Sequence, residues 1–73
     1  SPNPARDLVT IDFQQDLEVD ISMYDVLGKL VIYQPDVHIT KGHKIDVSQF
    51  RAGVYFIRLN TEIGSLTKKL VKK

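Results

Sequence analysis

The chain has 73 residues, of which 42% are apolar, with a formal net charge of +1 and no cysteine. That length suits one domain rather than two and buries only about 60% of the surface an unfolded chain exposes. Disulfides and cysteine-held zinc are excluded as staples, and no run of about 18 apolar residues offers a membrane-spanning helix. No signal peptide is present, and the chain opens on Ser1 rather than methionine, which reads as a piece of a longer precursor.

Ser1-Pro2-Asn3-Pro4 lacks two amide donors, so residues 1–6 read as an extended lead-in to a single domain spanning 1–73. Val9, Ile11 and Phe13 alternate with Thr10 and Asp12, giving a first strand over 7–13. Leu17, Val19, Ile21 and Met23 alternate with Glu18, Asp20, Ser22 and Tyr24 over a second strand, 17–25. Period two of this kind buries one face and leaves the other wet. Asp25-Val26-Leu27-Gly28 then carries Asp at the first and Gly at the fourth position of a type I turn, with a left-handed glycine closing a tight hairpin before Lys29.

Strands over 29–34 and 37–40 follow, on the pattern of Leu30 and Ile32 and then Ile39. Lys41-Gly42 reads as a turn that pairs Thr40 with His43 at the start of a strand over 43–47. Ala52-Gly53 ends a loop from Ser48 to Arg51. Val54-Tyr55-Phe56-Ile57-Arg58-Leu59 is β-branched and aromatic, as a central strand is, and occupies 54–60. Thr61-Glu62-Ile63-Gly64 turns into the last strand, 65–71. There Lys68 falls between Leu66 and Leu70 on one face, and alternation leaves open whether it meets core or solvent. About seven short antiparallel strands with half-buried faces imply two packed sheets, an immunoglobulin-like β-sandwich, with a small open barrel as the other possible closure.

Charge is uneven along this framework. Residues 1–25 carry Asp7, Asp12, Asp16, Glu18, Asp20 and Asp25 against Arg6, whereas Lys68, Lys69, Lys72 and Lys73 crowd the end. The lysines keep an edge strand soluble or meet a partner. Nucleic acid is disfavoured, because the basic residues share no helix and do not interleave with exposed aromatics. The residues of an enzyme are missing. His38 and His43 match no metal spacing beside Asp36 and Asp46 and read as solvated surface groups. Ser1, Ser22, Ser48 and Ser65 have no histidine close in sequence, and no phosphate loop occurs. The reading is non-catalytic, with no cofactor and no metal.

Five segments in order carry a resemblance: Pro2-Asn3-Pro4-Ala5, Ile21 to Lys29, Ile45-Asp46-Val47-Ser48, Ala52-Gly53-Val54-Tyr55-Phe56-Ile57 and Gly64 to Lys72. The series resembles the type A C-terminal sorting domain of the Bacteroidetes type IX secretion system, over essentially the whole chain. The resemblance implies a secretion signal with no stable membrane insertion and no catalytic role. It would follow an N-terminal passenger protein, fold in the periplasm and be recognised by the translocon. It would then be removed at the cell surface by a sortase, at a site upstream of Pro2. The passenger would end on the cell surface or outside the cell.

The surface offered to the translocon is expected in the hairpin from Gly53 to Gly64 and the basic last strand. Its candidate residues are Gly53, Tyr55, Gly64, Lys68, Lys69, Leu70, Val71, Lys72 and Lys73, with Asp25, Gly28 and Lys29 as the turn motif. Gly53 and Tyr55 could instead only shape the core. Leu70 should be partly buried, across the hairpin from Tyr55, while Lys72 and Lys73 should lie beyond the last apolar position and add little stability. Two rival functions remain. A carbohydrate-binding or adhesive sandwich would use exposed rings among Phe13, Tyr24, Tyr33, Phe50, Tyr55 and Phe56, with Tyr24 and Tyr33 outward on one hairpin. A structural spacer would use none.

Overall fold

The computed structural model describes residues 7–11, 17–39 and 43–73. The expected lead-in over 1–6, Phe13 and the Lys41-Gly42 turn lie outside them. Among these residues six strands form: β1 (Leu8–Ile11), β2 (Leu17–Asp25), β3 (Leu30–Ile39), β4 (His43–Asp46), β5 (Gly53–Thr61) and β6 (Gly64–Lys72). Every pairing is antiparallel. One sheet has the order β3-β2-β5-β6, and the other is the pair β1-β4.

Alternation places the core. Val19, Ile21 and Met23 of β2 and Tyr55, Ile57 and Leu59 of β5 turn to one side of the four-stranded sheet. They join Ile39 and Leu70 of that sheet and Val9, Ile45 and Val47 from the other side in one buried cluster. At roughly 25 cal/mol per Å² of apolar surface, this contact between sheets is what the fold rests on.

The β2–β3 turn forms as its residues require. The Gly28 amide donates to the Asp25 carbonyl at 3.0 Å, and the Asp25 amide donates to the Lys29 carbonyl at 3.0 Å. The Asp25 carboxylate also accepts from the Leu27 and Lys29 amides, each at 2.9 Å. Gly28 has φ 85°, where a Cβ is disfavoured, although the space around it is open.

Six strands rather than seven reflects one junction. The expected strands 29–34 and 37–40 are a single strand that runs through Pro35. Val19 faces Val37 and Ile21 faces Gln34, so β3 holds one more residue than β2 over that stretch. This is a β-bulge. Asp36 takes φ 54° within it, and its amide donates to the Asp20 carboxylate at 2.9 Å. Proline ends a central strand, but β3 is an edge strand, where a missing donor and a bulge are tolerated.

The second correction concerns β4. It pairs with β1, Ile11 facing His43 and Val9 facing Ile45, and so belongs to the other sheet rather than to a β3–β4 hairpin. The chain then returns through a turn closed by the Phe50 amide on the Val47 carbonyl at 3.2 Å.

Candidate recognition surface on the C-terminal hairpin

The β5–β6 hairpin turns at Glu62 and Ile63. Thr61 Oγ1 donates to the Gly64 carbonyl at 3.0 Å and accepts from the Ile63 amide at 3.2 Å. Gly53 and Gly64, at the two ends of the hairpin, have φ of 153° and 150°. Between them the register runs Leu59↔Leu66, Ile57↔Lys68, Tyr55↔Leu70 and Gly53↔Lys72 on the core side.

Tyr55 anchors this ladder. It is buried, its hydroxyl donates to the Arg51 carbonyl at 2.8 Å, and its ring lies 5.9 Å from that of Phe50. The connecting loop is thereby held to the strand that it feeds. Leu70 is 4% exposed, across from Tyr55 as expected. Lys68 shares that side of the sheet yet is exposed, as are Lys69 and Lys73, while Val71 is half-buried.

Lys72 departs from expectation. It lies within β6 and is only 7% exposed, so it is not a peripheral charge. A lysine can be buried in this way because its four methylenes are apolar and its ammonium can reach outward. Its charge also acts on Asp46, whose pKa is lowered first by hydrogen bonds from the Ser48 side chain and amide and then by Lys72. The Ser48 amide donates to the Asp46 carboxylate at 2.9 Å.

The candidates therefore fall into two groups. Tyr55, Leu70 and Lys72 are buried, whereas Lys68, Lys69 and Lys73 are exposed. Asp25, Gly28 and Lys29 form the turn of the other hairpin. Asp25 faces Tyr55 across the sheet, so this turn sits at the same end as Gly53 and Lys72.

The histidines separate. His38 is exposed on β3 opposite Glu18, but His43 is half-buried on β4, with its Nε2 buried and lacking a hydrogen-bond partner. The expectation of two solvated histidines holds for the first alone. They lie in different sheets, and among the described residues no three metal-type ligands come together. A shallow cleft at the far end is lined by Glu18, Val19, Asp20, Asp36, Asn60, Thr61 and Glu62. One of its carboxylates, Asp20, is already committed to the bulge.

The described residues thus form a small β-sandwich that ends in a basic hairpin. The chain belongs to the secretion system C-terminal sorting domain family, whose match covers residues 1–73. It is a type IX secretion sorting signal, and a sorting-signal domain is not itself catalytic. The chain is also similar to part of an endo-acting ulvan lyase from Formosa agariphila, 37% identical over 76 residues. That match takes in 99% of this chain but 14% of the lyase's length. No solved structure matches. Such a signal implies interaction with the secretion machinery, a passenger N-terminal to the domain, and export to the cell surface or the extracellular space.

Proposed function

We propose that this domain carries its passenger from the periplasm across the outer membrane through the type IX translocon and is then cut away by a surface sortase. The observation that carries the reading is the family match along the whole chain. The physical features agree with it. A tag must fold apart from its cargo, and local hairpins with short connections favour that. In this reading the translocon meets the C-terminal hairpin through Lys68, Lys69 and Lys73. Gly53, Tyr55, Gly64, Leu70, Val71 and Lys72 hold β6 in the shape that is met.

The test is a fusion of residues 1–73 behind a periplasmic reporter in a host with a working type IX system. The reporter should reach the medium or cell surface, shortened by the mass of the domain. A folded reporter that stays in the periplasm beside a normally exported control protein overturns the sorting reading. Export without shortening overturns sortase removal alone.

A further inference from the structure

The side of the four-stranded sheet that faces away from the core is not a polar surface. Register puts Leu30, Tyr24, Phe56 and Lys69 in one row across all four strands, and Tyr33, Ser22, Arg58 and Thr67 in the next. Tyr33 is 57% exposed, Leu30 47% and Phe56 37%, with Tyr24 half-buried among them. Ser22 is buried although it lies on this outer side, so the larger side chains around it close over it. Val54 and Val71, paired and half-buried, extend the patch toward the C-terminal end of β6.

We infer that this open sheet face, with Tyr24 and Phe56 on its two central strands, Tyr33 on the edge strand β3 and Arg58 in the row of Tyr33, docks onto an apolar, carboxylate-bearing protein surface of the export machinery. The inference rests on the sorting reading above and extends its contact surface from Lys69, which shares this side, across the four-stranded sheet. Contiguous exposed apolar groups of this kind mark interaction sites. Aromatic residues and arginine are the types enriched where proteins bind proteins. Small ligands favour concave sites, and the described cleft lies at the far end of the sheet, among carboxylates. Four strands about 4.8 Å apart and roughly 30 Å long span several hundred Å², on the scale of the ~800 Å² that each partner of a specific complex buries.

Charge selects the partner's sign. Arg58 is exposed in the middle of the face, with a 3.5 Å contact to Ser65 Oγ, and Lys69 stands in the row of Phe56. Glu18 and Asp20 lie on the same side of β2 but two to four residues nearer its start, and the Asp20 carboxylate serves the Asp36 amide. The aromatic centre is thus cationic, and a complementary surface brings carboxylates to it.

The experiment uses the reporter fusion with four single substitutions. Tyr33→Thr, Phe56→Thr and Arg58→Glu alter the face. Leu8→Thr alters an apolar residue of similar exposure, 47%, on the other sheet. Each purified domain is melted first, and Arg58→Glu, at an exposed site, should melt within a few degrees of the parent. The three face variants should lower export at least tenfold while Leu8→Thr leaves it unchanged. Normal export of Arg58→Glu, or an equal loss with Leu8→Thr, overturns the assignment. So does a dimer of the purified domain that Phe56→Thr dissolves, because the occupant would then be a second copy. Retention on an immobilised anionic polysaccharide, lost in Tyr33→Thr while export persists, overturns it in favour of a glycan. Failure of the unsubstituted fusion to be exported strikes the sorting reading instead.

Discussion

Along β6, Leu66, Lys68, Leu70 and Lys72 all lie on the side of the sheet that carries the core, yet Leu66 is 47% exposed and Leu70 only 4%. Lys68 is exposed, and Lys72, four residues on, is 7% exposed. Identity does not separate the exposed half of the strand from the covered half, since each holds one leucine and one lysine. The covering layer does. Among the described residues β1 and β4 have four residues each, against nine in β6, so what is described of the small sheet lies over only part of the large one. Its Asp46 end lies toward the part of β6 that is covered, since Ile45, Val47 and Leu70 share one buried cluster. Period two tells which side a residue takes, and the extent of the opposing layer decides whether that side is dry.

The first way to break this comparison is Leu70→Ala. Removing a buried leucine from a core costs about 2–5 kcal/mol. For a domain of this size that is a large part of its total stability. Thermal melting of the isolated domain should show a drop of many degrees or loss of the folded baseline. A shift no larger than that of Leu66→Ala would mean that both halves of β6 are equally wet.

Lys72 supplies a sharper test, because a terminal lysine is ordinarily dispensable. Lys72→Ala should cost about 1–2 kcal/mol through lost packing of its stem. Lys72→Met, which keeps an unbranched apolar chain, should recover much of that in the same melt. Deleting Lys73 alone should stay within about 0.5 kcal/mol, as surface changes do. Deletion of Lys72 and Lys73 together therefore does not separate recognition from folding, and export assays should remove Lys73 by itself.

Leu66→Ala addresses the wet half. With nearly half its surface in water, it should cost about 1 kcal/mol or less by chemical denaturation. A larger loss would place a covering layer above it.

The smallest effect is a pH dependence at the covered end. The Asp46 carboxyl has a lowered pKa in the fold, so its contribution is fully present above the unfolded value of about 3.9 and is lost as pH falls through the lower folded value. Melting temperature should therefore decline on acidification below about pH 4, and Asp46→Asn should flatten that decline. An unchanged slope would show that Asp46 is not held by Ser48 and Lys72 in solution.

Much of this architecture could be read from local chemistry. The Asp25-to-Lys29 turn was predictable because every bond in it is made by residues within four positions of one another. The sides of β2 were predictable because its eight residues from Leu17 to Tyr24 alternate without interruption, whereas β5 is apolar on both sides at its start and was legible only as a central strand. The burial of Leu70 followed from the same alternation applied across one hairpin, whereas Tyr55 was left open between the core and the recognition surface. The sorting role was also visible, carried by the order of short segments rather than by any single residue.

Other features depended on partners distant in the chain. Pro35 reads locally as a break, and only its place on an edge strand, with the Asp20 carboxylate supplying a bulge contact, lets β3 continue past it. His43 looks like half of a hairpin with Thr40, but β4 crosses to β1, a choice made by which apolar faces must meet rather than by the turn between them. Whether Lys68 and Lys72 were wet or buried, and that Tyr24, Tyr33 and Phe56 would share one open face, turned on strand order and on the reach of the second sheet. Alternation along a strand is set by the backbone, so sequence alone determines it. Burial is set by what stands opposite, and that is decided only when the sheets pack.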